Sequence, residues 1–184
     1  MKLLVAYASK HGSTEGIAEF IGERLRTRGL EVDVRDVTAL GEAGGYDAYV
    51  VGSAVYMFHW MKEARRFLSR NQKLLSSKPV WLFSSGPVGT SRTNAKGQDL
   101  LDAAASGPKE IGELRELVGP RDHRIFFGAL DGSKLTGATG LMYRMARRSE
   151  EARRSMPEGD FRDWNEIDGW ARSISEALQA TSLP

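Results

Sequence analysis

The chain has 184 residues, 41% hydrophobic and 27% charged, enough apolar material for one packed core and too little net charge, +2, for disorder or a polyanion-binding surface. It has no cysteine, which excludes disulfides, thiolate zinc sites, iron–sulfur clusters and a cysteine nucleophile, and fits a reducing cytoplasm. The apolar run at the start is too short for a signal peptide, and no stretch reaches the roughly 20 apolar residues of a transmembrane helix.

Residues Lys2 to Ala8 form a short apolar run, read as a strand buried on both faces. The polar turn Ser9 to Thr14 follows. Ile17, Ala18, Ile21 and Leu25 then recur at helical spacing, and Gly29 is placed to end that helix. Leu30 to Val37 alternates as a second strand near an edge. Asp47 to Val55 reads as a third strand, Met61 to Leu75 as a helix, and Pro79 to Phe83 as a fourth strand. A turn over 84–89 leads to a short helix at 98–105, a longer one at 109–118, and a fifth strand, His123 to Leu130. Residues 131–160 keep neither period for long and read as an insertion in one domain spanning 1–184. Asp163 to Leu178 closes the chain as a helix, with Asp163 and Glu166 at capping-box spacing.

Alternating strands and helices imply an α/β fold: a doubly wound, five-stranded parallel sheet of order 2-1-3-4-5, with helices on both faces. Ligands of such sheets sit beyond the carboxyl ends of the strands, at the switch point between strands one and three. The turn Ser9-Lys10-His11-Gly12-Ser13-Thr14 lies there. The helix start that follows presents unpaired N–H groups, Gly12 permits close approach, and Ser9, Ser13 and Thr14 add hydroxyls, a set suited to a terminal monophosphate. The loop has neither GxxxxGK[ST] nor GxGxxG spacing. The competing reading is that Ser13 or Thr14 simply caps the helix.

The loop resembles the flavodoxin phosphate loop, [ST]-x-T-G-x-T: Ser9, Gly12 and Thr14 match, and His11 stands in place of a threonine. The resemblance implies a flavodoxin-like fold and FMN, with the flavin ring between two further loops. One is Ala54, Val55, Tyr56, Met57 and Phe58, continuing to Trp60, where Phe58 and Trp60 are the stacking candidates. The other is Ser84, Ser85, Gly86, Pro87, Val88 and Gly89. The alternative is that the aromatic run packs on the core. No catalytic residue is assigned. His59 is a candidate proton donor or acceptor beside the flavin, with a structural hydrogen-bonded histidine as the alternative, and His123 is given no role.

A similarity to the menaquinone-dependent protoporphyrinogen oxidase family covers nearly the whole chain. It rests on His59 in an aromatic-rich loop, on Phe127-Gly128-Ala129-Leu130, and on a long insertion before Asp163-Trp164; an arginine-tyrosine stretch of that family is replaced by Val55-Tyr56-Met57. The resemblance implies an FMN oxidoreductase that passes electrons from an organic substrate, such as a porphyrinogen, to a quinone or another acceptor. A flavodoxin-type electron carrier without its own substrate is the alternative. Residues 141–154 carry five arginines and two glutamates, local charge +3, beside Leu141, Met142, Tyr143 and Met145. They can attract anionic lipid at the inner face of a membrane, or an acidic substrate, or be an ordinary solvated helix. No nucleic acid and no metal is expected as a partner.

Overall fold

The computed structural model describes residues 1–41, 43–56, 59–86, 110–135, 137–150 and 158–181. β1 (Lys2–Ala8), β2 (Glu31–Asp36), β3 (Ala48–Tyr56), β5 (Val80–Ser85) and β6 (Asp122–Phe126) form a parallel sheet in the order β2-β1-β3-β5-β6. This is the expected 2-1-3-4-5 arrangement; β4 is a two-residue strand, His59–Trp60, that pairs antiparallel with β3.

β1 shows why its sequence is continuously apolar. Leu3, Val5 and Tyr7 point to one face, where they pack with α1 (Ser13–Thr27) and the last helix, α6 (Trp164–Thr181). Leu4, Ala6 and Ala8 point to the other, against α2 (Lys62–Arg70), α3 (Gln72–Leu75) and α4 (Ile111–Val118). With helices on both faces, no position of a central strand can be polar at low cost. Asp163 caps α6 by accepting from the main-chain N–H of Asn165 and Glu166, both at 3.0 Å, in keeping with the capping-box spacing.

Several boundaries differ from expectation. The helix expected over 61–75 breaks at Asn71, whose side-chain amide donates to the Phe67 carbonyl at 2.8 Å. The segment 98–105 lies outside the described residues. The fifth strand stops at Phe126, because the chain bends at Phe127-Gly128 to cross over the start of α1. It resumes as β7 (Ala129–Leu130), paired antiparallel with β8 (Gly159–Asp160). The described parts of 131–160 are more regular than their sequence implies. They contain a 3-10 turn at Gly132–Lys134, capped by Asp131, and a ten-residue helix, α5 (Gly137–Ala146). Gly137 and Gly140 lower helix propensity there, and Leu141, Met142 and Met145 lie on the exposed side, so the apolar period is blurred.

His123, given no role from sequence, belongs to a buried polar chain. Trp60 Nε1 donates to Ser84 Oγ at 2.8 Å, and Ser84 Oγ lies 2.9 Å from His123 Nε2. An indole N–H can only donate, so the Ser84 hydroxyl is free to donate to an unprotonated His123 nitrogen. Burial first, and the Arg115 charge second, push the His123 pKa down from 6.5 to about 4. Between those values the unfolded chain holds a proton that the folded chain does not, so stability is full above pH 6.5 and falls as pH drops toward 4. The expected loss is about 3 kcal/mol over that window. Urea unfolding at pH 7.5 and 4.5 should show it in the wild type, and His123→Gln should lose this part of the pH dependence.

Candidate functional site

The carboxyl ends of β1, β3 and β5 open on a cavity of about 490 Å³ at the switch point of the sheet. Its size is that of a small-ligand or cofactor site. The floor is the turn between β1 and α1, through Ser9, His11, Ser13 and Thr14. One wall is the end of β3, through Ala54, Val55 and Tyr56; a second is Ser85 and Gly86; a third is Gly128 to Asp131 with Leu135, Met142, Tyr143 and Ala146. The polar groups therefore gather at the helix end, and the remaining surface is largely apolar.

The turn has a glycine-shaped helix start with free N–H groups. Gly12 sits at φ 86°, a left-handed conformation that glycine adopts without strain, and acts as the N-cap of α1. Its N–H donates to Ser9 Oγ at 3.1 Å, which closes the turn. The first N–H groups of α1, from Ser13 to Glu15, have no acceptor within the helix and carry its positive dipole end. Thr14 is 1% exposed, and its hydroxyl is buried without a hydrogen-bond partner. Thr14 is one of the residues that line the cavity, and a buried hydroxyl without a partner is costly. The nearby carboxylate, Glu15, is engaged by the Tyr7 hydroxyl at 2.9 Å, and that contact, with burial as the larger cause, raises the Tyr7 pKa.

The crossing at 127–129 fits against this turn. The Ala129 N–H donates to Ser13 Oγ at 2.8 Å, and a Cβ on Gly128 would lie 3.2 Å from that oxygen and 3.4 Å from Ser85 Oγ. A side chain there would press on the Ser13 hydroxyl by a few tenths of an ångström, so the glycine lets the chain pass close between the two serines. Segment 131–160 completes the third wall. Tyr143 is buried and donates to Glu158 Oε1 at 3.0 Å, while Arg147 donates to the Tyr143 hydroxyl at 2.8 Å and pairs with Glu158 at 3.2 Å. Arg147 is thus a brace that holds α5 in place.

Of the sequence-level site residues, Ser9, His11, Ser13, Thr14, Ala54, Val55, Tyr56, Ser85 and Gly86 come together around the cavity, with Gly12 shaping its floor. Lys10 is exposed at the rim, its ammonium 5.9 Å from the centre of the Tyr56 ring. Ser84 is turned away, being fully buried and committed to Trp60 and His123. Trp60 is corrected in the same way. It is 1% exposed in the core, because pairing of Val55 with Trp60 places both on the core side of the β3–β4 hairpin. Met57, Phe58, Pro87, Val88 and Gly89 lie outside the described residues. His59 is not among the lining residues. Its Nδ1 is hydrogen-bonded to Glu110 Oε1, which Arg65 also approaches at 3.3 Å. Burial works against ionisation of Glu110, yet its hydrogen bond to His59 and the main-chain bonds around it hold the pKa below the usual carboxylate value. The cavity residues missed from sequence are Gly128 to Asp131, Leu135, Met142, Tyr143 and Ala146. The FGAL string was the available signal, and only the crossing of the chain explains it.

The known proteins that this chain resembles agree with that architecture. The protoporphyrinogen IX dehydrogenase [quinone] of Escherichia coli (strain K12) is 20% identical over 191 residues, covering 100% of this chain and 99% of that protein. A flavodoxin from the domain Archaea superposes with a TM-score of 0.58 at 18% identity, covering 97% of this chain and 99% of that one. A mutant flavodoxin from Pseudomonas aeruginosa gives 0.59 at 16% identity, with the same coverage. At these identities the structures speak to the fold. The flavodoxin domain family matches residues 4–156, from β1 through the Ser9–Thr14 turn and beyond α5, and the chain belongs to that family.

Proposed function

We propose that the chain is an FMN-dependent oxidoreductase that takes electrons from an organic substrate and passes them to a quinone or a similar acceptor. The observation that carries the reading is the pairing of an anion-binding turn, with its unpartnered Thr14 hydroxyl, and a largely apolar cavity above it. The turn accommodates one phosphate. Ser9, Ser13, Thr14 and the first N–H groups of α1 hold it, and Ala54, Val55, Tyr56, Ser85 and Gly86 border the ring. Bound there, FMN supplies a ring able to take up and release electrons singly or in pairs. The chain's own contribution is to exclude water with the third wall, through Leu135, Met142 and Tyr143, and to fix the ring's orientation. The name of the E. coli relative supports a quinone as acceptor and a porphyrinogen as a substrate to test first.

Among the described residues no helix is long and apolar enough to cross a membrane. Contact with a membrane face is proposed instead through α5, where Leu141 is 54%, Met142 71% and Met145 56% exposed, beside the exposed Arg144 and Arg148. Met142 also lines the cavity, so the same helix can meet a lipid-borne quinone at the cavity mouth. Because Arg147 is a brace, the cations expected to act on lipid are Arg144 and Arg148. Replacing both with glutamine should weaken binding to anionic vesicles about 30-fold at low salt, with little change in thermal stability or FMN content. Vesicle co-sedimentation at low and high salt checks this.

Anaerobic assays separate the proposed enzyme from an electron carrier. The enzyme, loaded with FMN, should oxidise protoporphyrinogen or a related donor with a menaquinone analogue as acceptor. A protein that exchanges electrons with protein partners yet turns over no organic donor would be a carrier.

A further inference from the structure

Where the chain crosses the start of α1 it takes hold of one residue, Ser13. The Ala129 N–H donates to Ser13 Oγ at 2.8 Å, and Arg162 Nη1 donates to the Ser13 carbonyl at 3.4 Å from 149 residues along the chain. The guanidinium is itself held. Its Nε and Nη2 donate to the two carboxylate oxygens of Asp160 at 2.7 and 2.6 Å, its central carbon lies 4.4 Å from the centre of the Trp164 ring, and the side chain is 16% exposed. It rests against the bare backbone of Gly16, where a Cβ would stand 2.5 Å from Nη1. Arg162 does not line the cavity, and Asp160 balances its charge, so it reaches the site through the peptide it touches.

We propose that Arg162 is a positioning residue for the cofactor phosphate: by holding the Ser13 carbonyl it fixes the direction of the Thr14 N–H, one of the donors that meet the phosphate. This rests on the FMN reading above. The Ser13 carbonyl and the Thr14 N–H belong to one planar trans peptide and point in opposite directions, so a donor on the oxygen sets the aim of the N–H. In α1 that N–H points out of the helix start, where it has no acceptor within the helix. A cation donating to the oxygen also polarises the amide, which makes the N–H a stronger donor. The second hold, from Ala129, uses Ser13 Oγ as an acceptor and leaves its hydrogen for the same anion. Gly16 has its reason in the same contact. It sits inside α1, where glycine lowers helix propensity, and the room left by its missing side chain is taken by the guanidinium.

The test is titration of the flavin-free protein with FMN and with riboflavin, at low and high salt, for the wild type, Arg162→Met, Gly16→Ala and the double variant. Methionine keeps an apolar stem beside Trp164 and removes the donor. Alanine leaves the arginine in place and pushes its Nη1 aside, and as the better helix former it should hold or raise the thermal stability of the apoprotein. Each variant should weaken FMN roughly tenfold, the contribution of one hydrogen bond, and leave riboflavin within about twofold of the wild type. The loss should be alike at low and high salt, since a screened charge is not its source. The double variant should bind no more weakly than either single one, because both changes remove the same contact. FMN affinity unchanged in either variant, losses that add in the double variant, a loss that vanishes in high salt, or an equal loss for both ligands overturns the positioning role and leaves the FMN reading intact. If the wild type binds riboflavin as tightly as FMN, or binds neither, the FMN reading falls and the positioning role with it.

Discussion

Replacing Gly12 with valine is expected to lower affinity for FMN at least a hundredfold while leaving riboflavin binding far less affected. Two effects combine. A side chain at φ 86° is strained, and relieving that strain shifts the N–H groups through which a helix end meets a phosphate. Removing the Thr14 hydroxyl with alanine isolates a smaller part of the same interaction. That hydroxyl is buried and unpartnered, and a bond to a charged group is worth roughly 1.5–3 kcal/mol, so Thr14→Ala should weaken FMN about 10- to 150-fold. Alanine also deletes the orphan group, so the apoprotein should keep or slightly gain stability. Flavin fluorescence titrations with both ligands, beside thermal unfolding of the apoprotein, check each part. Unchanged FMN affinity in both variants would remove the phosphate from this turn.

Trp60→Ala should destabilise the protein by about 3–5 kcal/mol, the range for emptying a large aromatic site in a packed core. Trp60 is among the largest fully buried side chains and packs with the cluster that includes Leu68, Tyr49 and Leu82. Its loss also removes the indole N–H that Ser84 Oγ accepts from, leaving that hydroxyl with His123 as its partner. Urea unfolding of the apoprotein measures the effect. A stacking role would give the opposite pattern: full apoprotein stability and a selective loss of flavin affinity. The contrast distinguishes a residue under the hairpin from one over the cofactor.

The outcome for Trp60 shows what the sequence could and could not reveal. An aromatic run after a central strand has the same composition whether it faces a ligand or the core. The fold decides: Trp60 pairs with Val55 and is buried in the core, and of that pair only Val55 also borders the cavity. Tyr56 reaches the cavity, and Trp60 does not. The place of the turn from Ser9 to Thr14 at the cavity was legible because its residues are contiguous and follow a strand that can only be central. The same holds for the strand order, which the doubly apolar β1 and the alternating β2 imply. The third wall was not legible. Gly128 matters through Ser13 and Ser85, which lie more than 100 and more than 40 residues away in the chain. The helical face of α5 is hidden by its glycines and by exposed methionines. His123 gains its place from Ser84 and Trp60, a pairing across strands that no local pattern records.

The central claim is that one phosphate, carried by a flavin, binds at the turn from Ser9 to Thr14. Calorimetric titration of the flavin-free wild type with FMN, riboflavin and FAD tests it most directly. FMN should bind at least a hundredfold tighter than riboflavin, the difference being the phosphate contacts, and tighter than FAD, whose second phosphate and adenosine have no counterpart in a turn that accommodates one phosphate. Equal affinity for FMN and riboflavin, or a preference for FAD, would contradict it.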